Sequence, residues 1–165
     1  MIFDRLAPLI DPIAIVVLLS VVNRLAVSAN DSFFGVLRPS SEESVVSRGY
    51  TGGSVSLPGL VTDRDRHGNL CVGFGDSLPD YQLVLDRDFP ELSITIDSGG
   101  RDTTLIVRGP RDNTVRCADD WHDSADAVLN DTNWEAGTYE IWVGTMEPGA
   151  EWTYRLSVSP EIDRR

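Results

Sequence analysis

The densest reactive chemistry of the chain lies between Asp119 and Asn133, where Asp119, Asp120, Asp123, Asp126 and Asp131 fall among Asn130, Thr132 and Asn133. A hard cation such as calcium gathers roughly six to eight oxygen ligands at one point, and a stretch so rich in carboxylates can supply several of them. The spacing is not that of an EF-hand. Counting from Asp119, the position that demands glycine holds Ser124 and the one that demands a bidentate glutamate holds Asn130. A calcium site would therefore draw on Asp119, Asp120 and Asp123, with Asp102 added from the head of an earlier strand. The competing reading is a solvated acidic loop, since a charge cluster alone specifies no ligand. Asp119 and Asp120 are adjacent, so on a strand they would point to opposite faces and not form a catalytic dyad.

Cys71 and Cys117 are the only cysteines. In an oxidising compartment they would form one disulfide, and closing a loop of this length stabilises by roughly 4 kcal/mol in the chain-entropy treatment. Free thiols and zinc are the alternatives. His67 and His122 flank the two cysteines, an inventory that suits tetrahedral zinc, but neither half has the close CxxC or HxxxH pairing of structural sites. Trp121, Trp134 and Trp142 form a third set. Exposed, they would offer a stacking platform for sugars or an apolar pad for a protein; buried, they would cover the edge of the core.

No Gly-x-Ser-x-Gly elbow, HExxH pair, phosphate loop or dinucleotide fingerprint occurs. With His67 and His122 the only histidines, nothing local supports a Ser–His–Asp assembly. A small hydrolase using loop carboxylates stands as the enzymatic alternative, although acidic residues are too abundant to single out a pair.

The elements that must position these residues are strands. Tyr81, Leu83 and Leu85 alternate with Gln82, Val84 and Asp86, and Leu92, Ile94 and Ile96 alternate with Glu91, Ser93, Thr95 and Asp97. Thr103–Arg108 and Thr114–Ala118 follow around a Gly-Pro turn. Tyr139, Ile141 and Val143 alternate with Glu140 and Trp142, and Trp152, Tyr154, Leu156 and Val158 with Thr153, Arg155 and Ser157. Ser54–Leu57 and Leu70–Phe74 are shorter candidates. Period-2 patterning with one polar face is what a half-buried antiparallel strand requires. Seven or eight such strands without helical periodicity predict an all-β antiparallel sandwich over residues 54–160. Residues 30–53 show little periodicity and are expected to form a flexible arm, and 161–165 a frayed tail.

The chain has 165 residues and a net charge of −12, from 26 acids and 14 bases that are all arginine. That balance disfavours binding to nucleic acid or anionic lipid through counterion release. Ile13–Val22 is an apolar run broken only by Ser20, and Val27 and Ala29 fit the small-residue pattern of a signal-peptidase site. Residues 1–29 are thus expected to be a signal peptide. An uncleaved anchor is the alternative, although the run is short of the ~20 residues that span a bilayer.

Certain motifs resemble a known family. They are Leu92-Ser93-Ile94-Thr95-Ile96, Asp102-Thr103-Thr104-Leu105-Ile106-Val107 and Cys117-Ala118-Asp119-Asp120. The series continues with Ala136-Gly137-Thr138-Tyr139-Glu140-Ile141-Trp142-Val143-Gly144 and ends at Tyr154-Arg155-Leu156-Ser157-Val158. Over roughly residues 53–159 the chain resembles the bacterial pre-peptidase C-terminal domain in a stand-alone secreted form. The resemblance implies a jelly-roll-like sandwich that accompanies secreted enzymes and is not itself catalytic, expected here in a stand-alone form without a protease domain. The combined expectation is an exported, non-enzymatic binding module, secreted, periplasmic or on the cell surface. It would be calcium-supported and contact a protein or glycan, with no stable membrane insertion after cleavage. A purely structural envelope domain without a small ligand is the alternative.

Overall fold

The computed structural model describes residues 33–120 and 123–160. The predicted signal segment 1–29, Trp121, His122 and the tail 161–165 lie outside them. In chain order the strands are β1 (Gly35–Leu37), β2 (Val45–Tyr50), β3 (Val55–Ser56), β4 (Phe74–Gly75), β5 (Tyr81–Leu85) and β6 (Phe89–Asp97). They continue with β7 (Thr103–Arg108), β8 (Val115–Ala118), β9 (Val128–Trp134), β10 (Gly137–Thr145) and β11 (Thr153–Pro160). One helical turn, α1 (Leu57–Leu60), separates β3 from β4.

Two sheets result. The smaller runs β2-β11-β6-β9 and is antiparallel throughout. In the larger, β10 is the hub, pairing with β5 and β4 and with β7, while β8 pairs β7, β3 pairs β4 and β1 adds to β5. The β1–β5 pair is parallel, a departure from the all-antiparallel expectation. Most partners are distant in sequence, as in a jelly-roll-like sandwich. Between the sheets lie the residues that alternation assigned inward: Leu83 and Leu85, Leu92, Ile94 and Ile96, Leu105 and Val107, Tyr139, Ile141 and Val143, Leu156 and Val158. Apolar burial of one face per sheet is the force that fixes this register, because a one-residue slip would turn every such side chain to water.

Three sequence expectations are corrected. Residues 30–53 do not form a loose arm throughout: Val45–Tyr50 is an edge strand along β11 and Gly35–Leu37 lies beside β5. The inward positions of β2 include Ser47 and Gly49, which hide its period. Gly49 is small for a packing reason, since a Cβ there would sit 2.5 Å from the Tyr154 hydroxyl. The acidic stretch Asp119–Asn133 is not all loop, because β9 begins at Val128 with Leu129, Asp131 and Trp134 buried. Ser54–Leu57 and Leu70–Phe74 shrink to two-residue strands, because the chain between them folds over the larger sheet as an irregular flap.

That flap explains β7 and β10. Leu57, Val61 and Cys71 pack on the outer face of the larger sheet against Ile106, Val115, Cys117 and Trp142, forming a second core. The face that looks polar in period is thereby covered. Cys71 and Cys117 are disulfide-bonded with their Cα atoms 5.3 Å apart, tying the flap to β8.

Candidate functional site

Two constellations of charged side chains emerge, one at each end of β8. The first is acidic. Because β7 and β8 pair antiparallel with Leu105 opposite Ala118, the head of β7 and the exit of β8 meet at one corner. Asp102 precedes β7 and Asp119 and Asp120 follow β8, so the register brings together residues that are remote in sequence. One oxygen from each of the three carboxylates falls within 4.8 Å of the others. Asp119 is partly buried, and its Oδ1 is shielded from solvent without a hydrogen-bond partner. Burial pushes its carboxyl above the usual range, and the Asp120 and Asp102 charges add to the effect. Asp102 shifts upward too, from desolvation and from Asp120.

Three convergent carboxylate oxygens are what a hard cation seeks, and this triad could hold a metal ion. Asp123 is exposed and is not one of the group. The Gly99-Gly100 turn that leads into Asp102 is held by another residue. Asp126 accepts hydrogen bonds from the Ser98 N–H at 2.9 Å and the Gly100 N–H at 3.0 Å, and also from the Ser98 hydroxyl. The Thr103 hydroxyl accepts from the Ala127 N–H at 3.0 Å, which tethers the loop between β8 and β9 to the strand carrying Asp102.

The second constellation joins the sheets. Arg116 of β8 and Asp131 of β9 are both buried, and the Arg116 Nε donates to Asp131 Oδ2 at 2.6 Å. The guanidinium lies 4.0 Å from the centre of the Trp134 ring, a stacking arrangement to which arginine is suited. Its Nη2 donates to the Asn133 carbonyl at 3.1 Å, while Nη1 is buried and has no acceptor. From the flap, Arg66 comes within 3.5 Å of Asp131, and His67 Nε2 lies 3.0 Å from Asp131 Oδ1. Burial tends to raise the Asp131 pKa, but hydrogen bonds from His67 and the Thr132 N–H, with the Arg116 and Arg66 charges, hold it below the ordinary range.

His67 is therefore committed to Asp131, and the two thiols are committed to each other, so the Cys–His zinc arrangement does not form. Among the described residues no serine or threonine hydroxyl bonds to His67, so the His67–Asp131 pair lacks the nucleophile that would make it a triad. Of the three tryptophans, Trp121 lies outside the described residues and the other two are covered. Trp134 is 0% exposed and Trp142 2%, the one between the sheets and the other beneath the flap with Arg108 over its ring. Neither offers a face for stacking. The candidate site residues that the sequence did not reveal are Arg116 and Asp131. Their signal was an arginine and an aspartate at core-facing positions of alternating strands, where isolated charge is too costly to leave unpaired.

No family model matches the chain, and no curated protein matches it. Among the solved structures that are similar, two are informative about the fold. One is the pre-peptidase C-terminal domain of collagenase from Bacillus anthracis, 16% identical with a TM-score of 0.43, over 75% of this chain and 94% of that one. The other is a periplasmic inhibitor of g-type lysozyme from Aeromonas hydrophila, 14% identical with a TM-score of 0.45, over 77% of this chain and 96% of that one. The first bears the family name that the sequence motifs resemble. With TM-scores under 0.5 neither likeness carries a functional argument, and function has to come from the two constellations around β8.

Proposed function

We propose that the chain is an exported, non-enzymatic binding module whose Asp102–Asp119–Asp120 corner takes a calcium ion, and that its partner is a protein outside the cytoplasm. The observation that carries the calcium reading is the partnerless, buried Oδ1 of Asp119 within reach of two further carboxylates. A buried acceptor without a donor costs free energy, and a cation that gathers all three carboxylates removes that cost together with their mutual repulsion. Remaining ligands would come from main-chain carbonyls and water, as calcium sites allow. Export is supported by the buried Cys71–Cys117 disulfide, a bond that persists in oxidising compartments. A protein partner is favoured over a glycan because Trp134 and Trp142, which would have stacked on sugar, are both buried.

Thermal unfolding with calcium, with magnesium and with chelator tests the reading. A ligand at a hundred times its dissociation constant stabilises by about 2.7 kcal/mol, so calcium at saturation should raise Tm by several degrees. Magnesium should do less, because it demands tighter octahedral geometry. Asp119→Asn with Asp120→Asn should abolish the shift while leaving the disulfide intact by mass. An identical Tm in calcium and chelator would return the molecule to the alternative of a structural domain without a small ligand.

A further inference from the structure

The second constellation opens on a cavity of about 250 Å³ beside the end of the sandwich. Arg66 of the flap, Arg111 of the turn between β7 and β8, and Arg116 line it, together with Asn113, Asn133 and Glu135. Arg116 is 1% exposed and forms the floor, whereas Arg66 and Arg111 stand on the rim at 25% and 65%. The cations are not fully answered. Asp131 takes the Nε of Arg116 from behind and Glu135 takes Arg111 at 2.6 Å, which leaves three guanidinium groups against two carboxylates. This positive excess sits in a chain whose net charge is −12.

The floor is also preorganised. Arg116 is clamped by Asp131, by the Asn133 carbonyl and by the Trp134 ring, so its orientation needs no further ordering. Its Nη1 is buried without an acceptor, so Arg116 contributes to the cavity chiefly as fixed positive charge. A buried charge is costly to leave unanswered, and the guanidinium groups of Arg66 and Arg111 on the same lining favour a ligand that brings acceptors and negative charge. A carboxylate fits best, because its two oxygens match a guanidinium edge and its charge offsets the excess.

We propose that this cavity is a carboxylate-binding site, with Arg116 as its fixed floor and Arg66 and Arg111 as rim contacts. Glu135 occupies Arg111 in the free protein and acts as the internal competitor that an incoming carboxylate displaces. The site is independent of the calcium corner, at the opposite end of β8, and stands or falls without it.

Calorimetric titration of the full chain tests it, at ionic strength held constant with sodium chloride. One probe is succinate; the other is a blocked tripeptide, acetyl-Gly-Asp-Gly-amide. Saturable binding of either supports the site. A response to succinate alone identifies a free small acid as the source of the carboxylate, and a response to the peptide identifies an acidic side chain of a partner. Arg66→Gln with Arg111→Gln should weaken binding at least about tenfold, the loss expected for hydrogen bonds to a charged group. Glu135→Gln should strengthen it about threefold, which corresponds to removing one exposed competing ion pair. A merely structural role for Glu135 would not give that sign. No saturable binding of either probe overturns the proposal, as does a folded double variant that binds like wild type. If the double variant does not fold, Glu135→Gln decides: unchanged or weaker binding overturns it.

Discussion

Reduction of the Cys71–Cys117 bond should lower the stability of the whole sandwich while leaving its native surface unchanged. The cysteines are 46 residues apart, and a cross-link of that span removes loop-closure entropy from the unfolded chain worth about 4 kcal/mol at 25 °C in the chain-entropy treatment. For a urea dependence of about 2 kcal/mol per molar, the midpoint of unfolding should fall by about 2 M. The flap itself has other anchors. Leu57 is fully buried, the Arg66 N–H donates to the Val115 carbonyl at 2.9 Å, and the Leu57 N–H donates to the Gly73 carbonyl at 3.1 Å. Trp142 lies under that flap and reports whether it lifts, once the emission of a Trp142→Phe variant is subtracted. Because the bridge is buried, the reduced form is best prepared by unfolding and refolding in reductant, which avoids the cavity that a cysteine substitution would add. The expected result is a lowered urea midpoint with unchanged Trp142 emission at zero denaturant. An unchanged midpoint refutes the entropic assignment. A red shift of Trp142 on reduction alone also refutes it, since the bridge would then be holding the native flap and not restricting the unfolded chain.

Three further outcomes follow from the charged and crowded positions. Asp131→Asn should cost about 3–5 kcal/mol in urea unfolding, because it strands the buried Arg116 charge, whereas Asp131→Leu combined with Arg116→Met should cost far less. Gly144→Ala should destabilise by about 1–3 kcal/mol, since the new methyl would meet Thr104 Oγ1 at 2.6 Å and the Phe74 carbonyl at 2.7 Å. The pH profile has a defined sign. Asp80, Asp102 and Asp119 are all raised by burial, so the folded state binds their protons more readily than the unfolded chain does. Their contribution to stability is therefore lost as pH rises from the ordinary carboxylate range through their folded values. Asp131 is lowered, and its stabilising share disappears only when pH falls below the ordinary range. Without metal, Tm should rise as pH is lowered from neutrality toward the ordinary carboxylate range, and the rise should shrink in Asp119→Asn and in saturating calcium, where protons compete with the ion.

The strands that were legible in the sequence were those with one apolar and one polar face. Leu92, Ile94 and Ile96, or Tyr139, Ile141 and Val143, declare themselves because water on one side and a core on the other impose a period of two. Legibility failed wherever a third layer or a buried charge broke that rule. Trp142 looked solvent-facing because the flap residues over it, Leu57, Val61 and Cys71, lie far earlier in the chain, and no local pattern encodes that cover. β9 was hidden because its inward positions include Asp131, whose burial makes sense only once Arg116 is known to face it from the other sheet.

The two constellations around β8 differ in the same respect. The acidic corner was half visible, since Asp119 and Asp120 stand together in the sequence and Asp102 begins a recognisable strand. What the fold added was the β7–β8 register, which brings Asp102 into the group, and the loop path, which leaves Asp123 out. The arginine cavity was not visible at all. Its cations come from the flap, a turn and a strand, and each has an ordinary surface explanation when taken alone. Together they gather positive charge where an acidic chain has least of it to spare, around an Arg116 that is buried, clamped and one acceptor short. A side chain held so rigidly with a donor left over is more costly to keep than a hydrophobic residue of similar volume. Its charge beneath Arg66 and Arg111 is what a bound carboxylate would answer, which is why the cavity floor, and not the more conspicuous acidic loop, carries the sharper prediction.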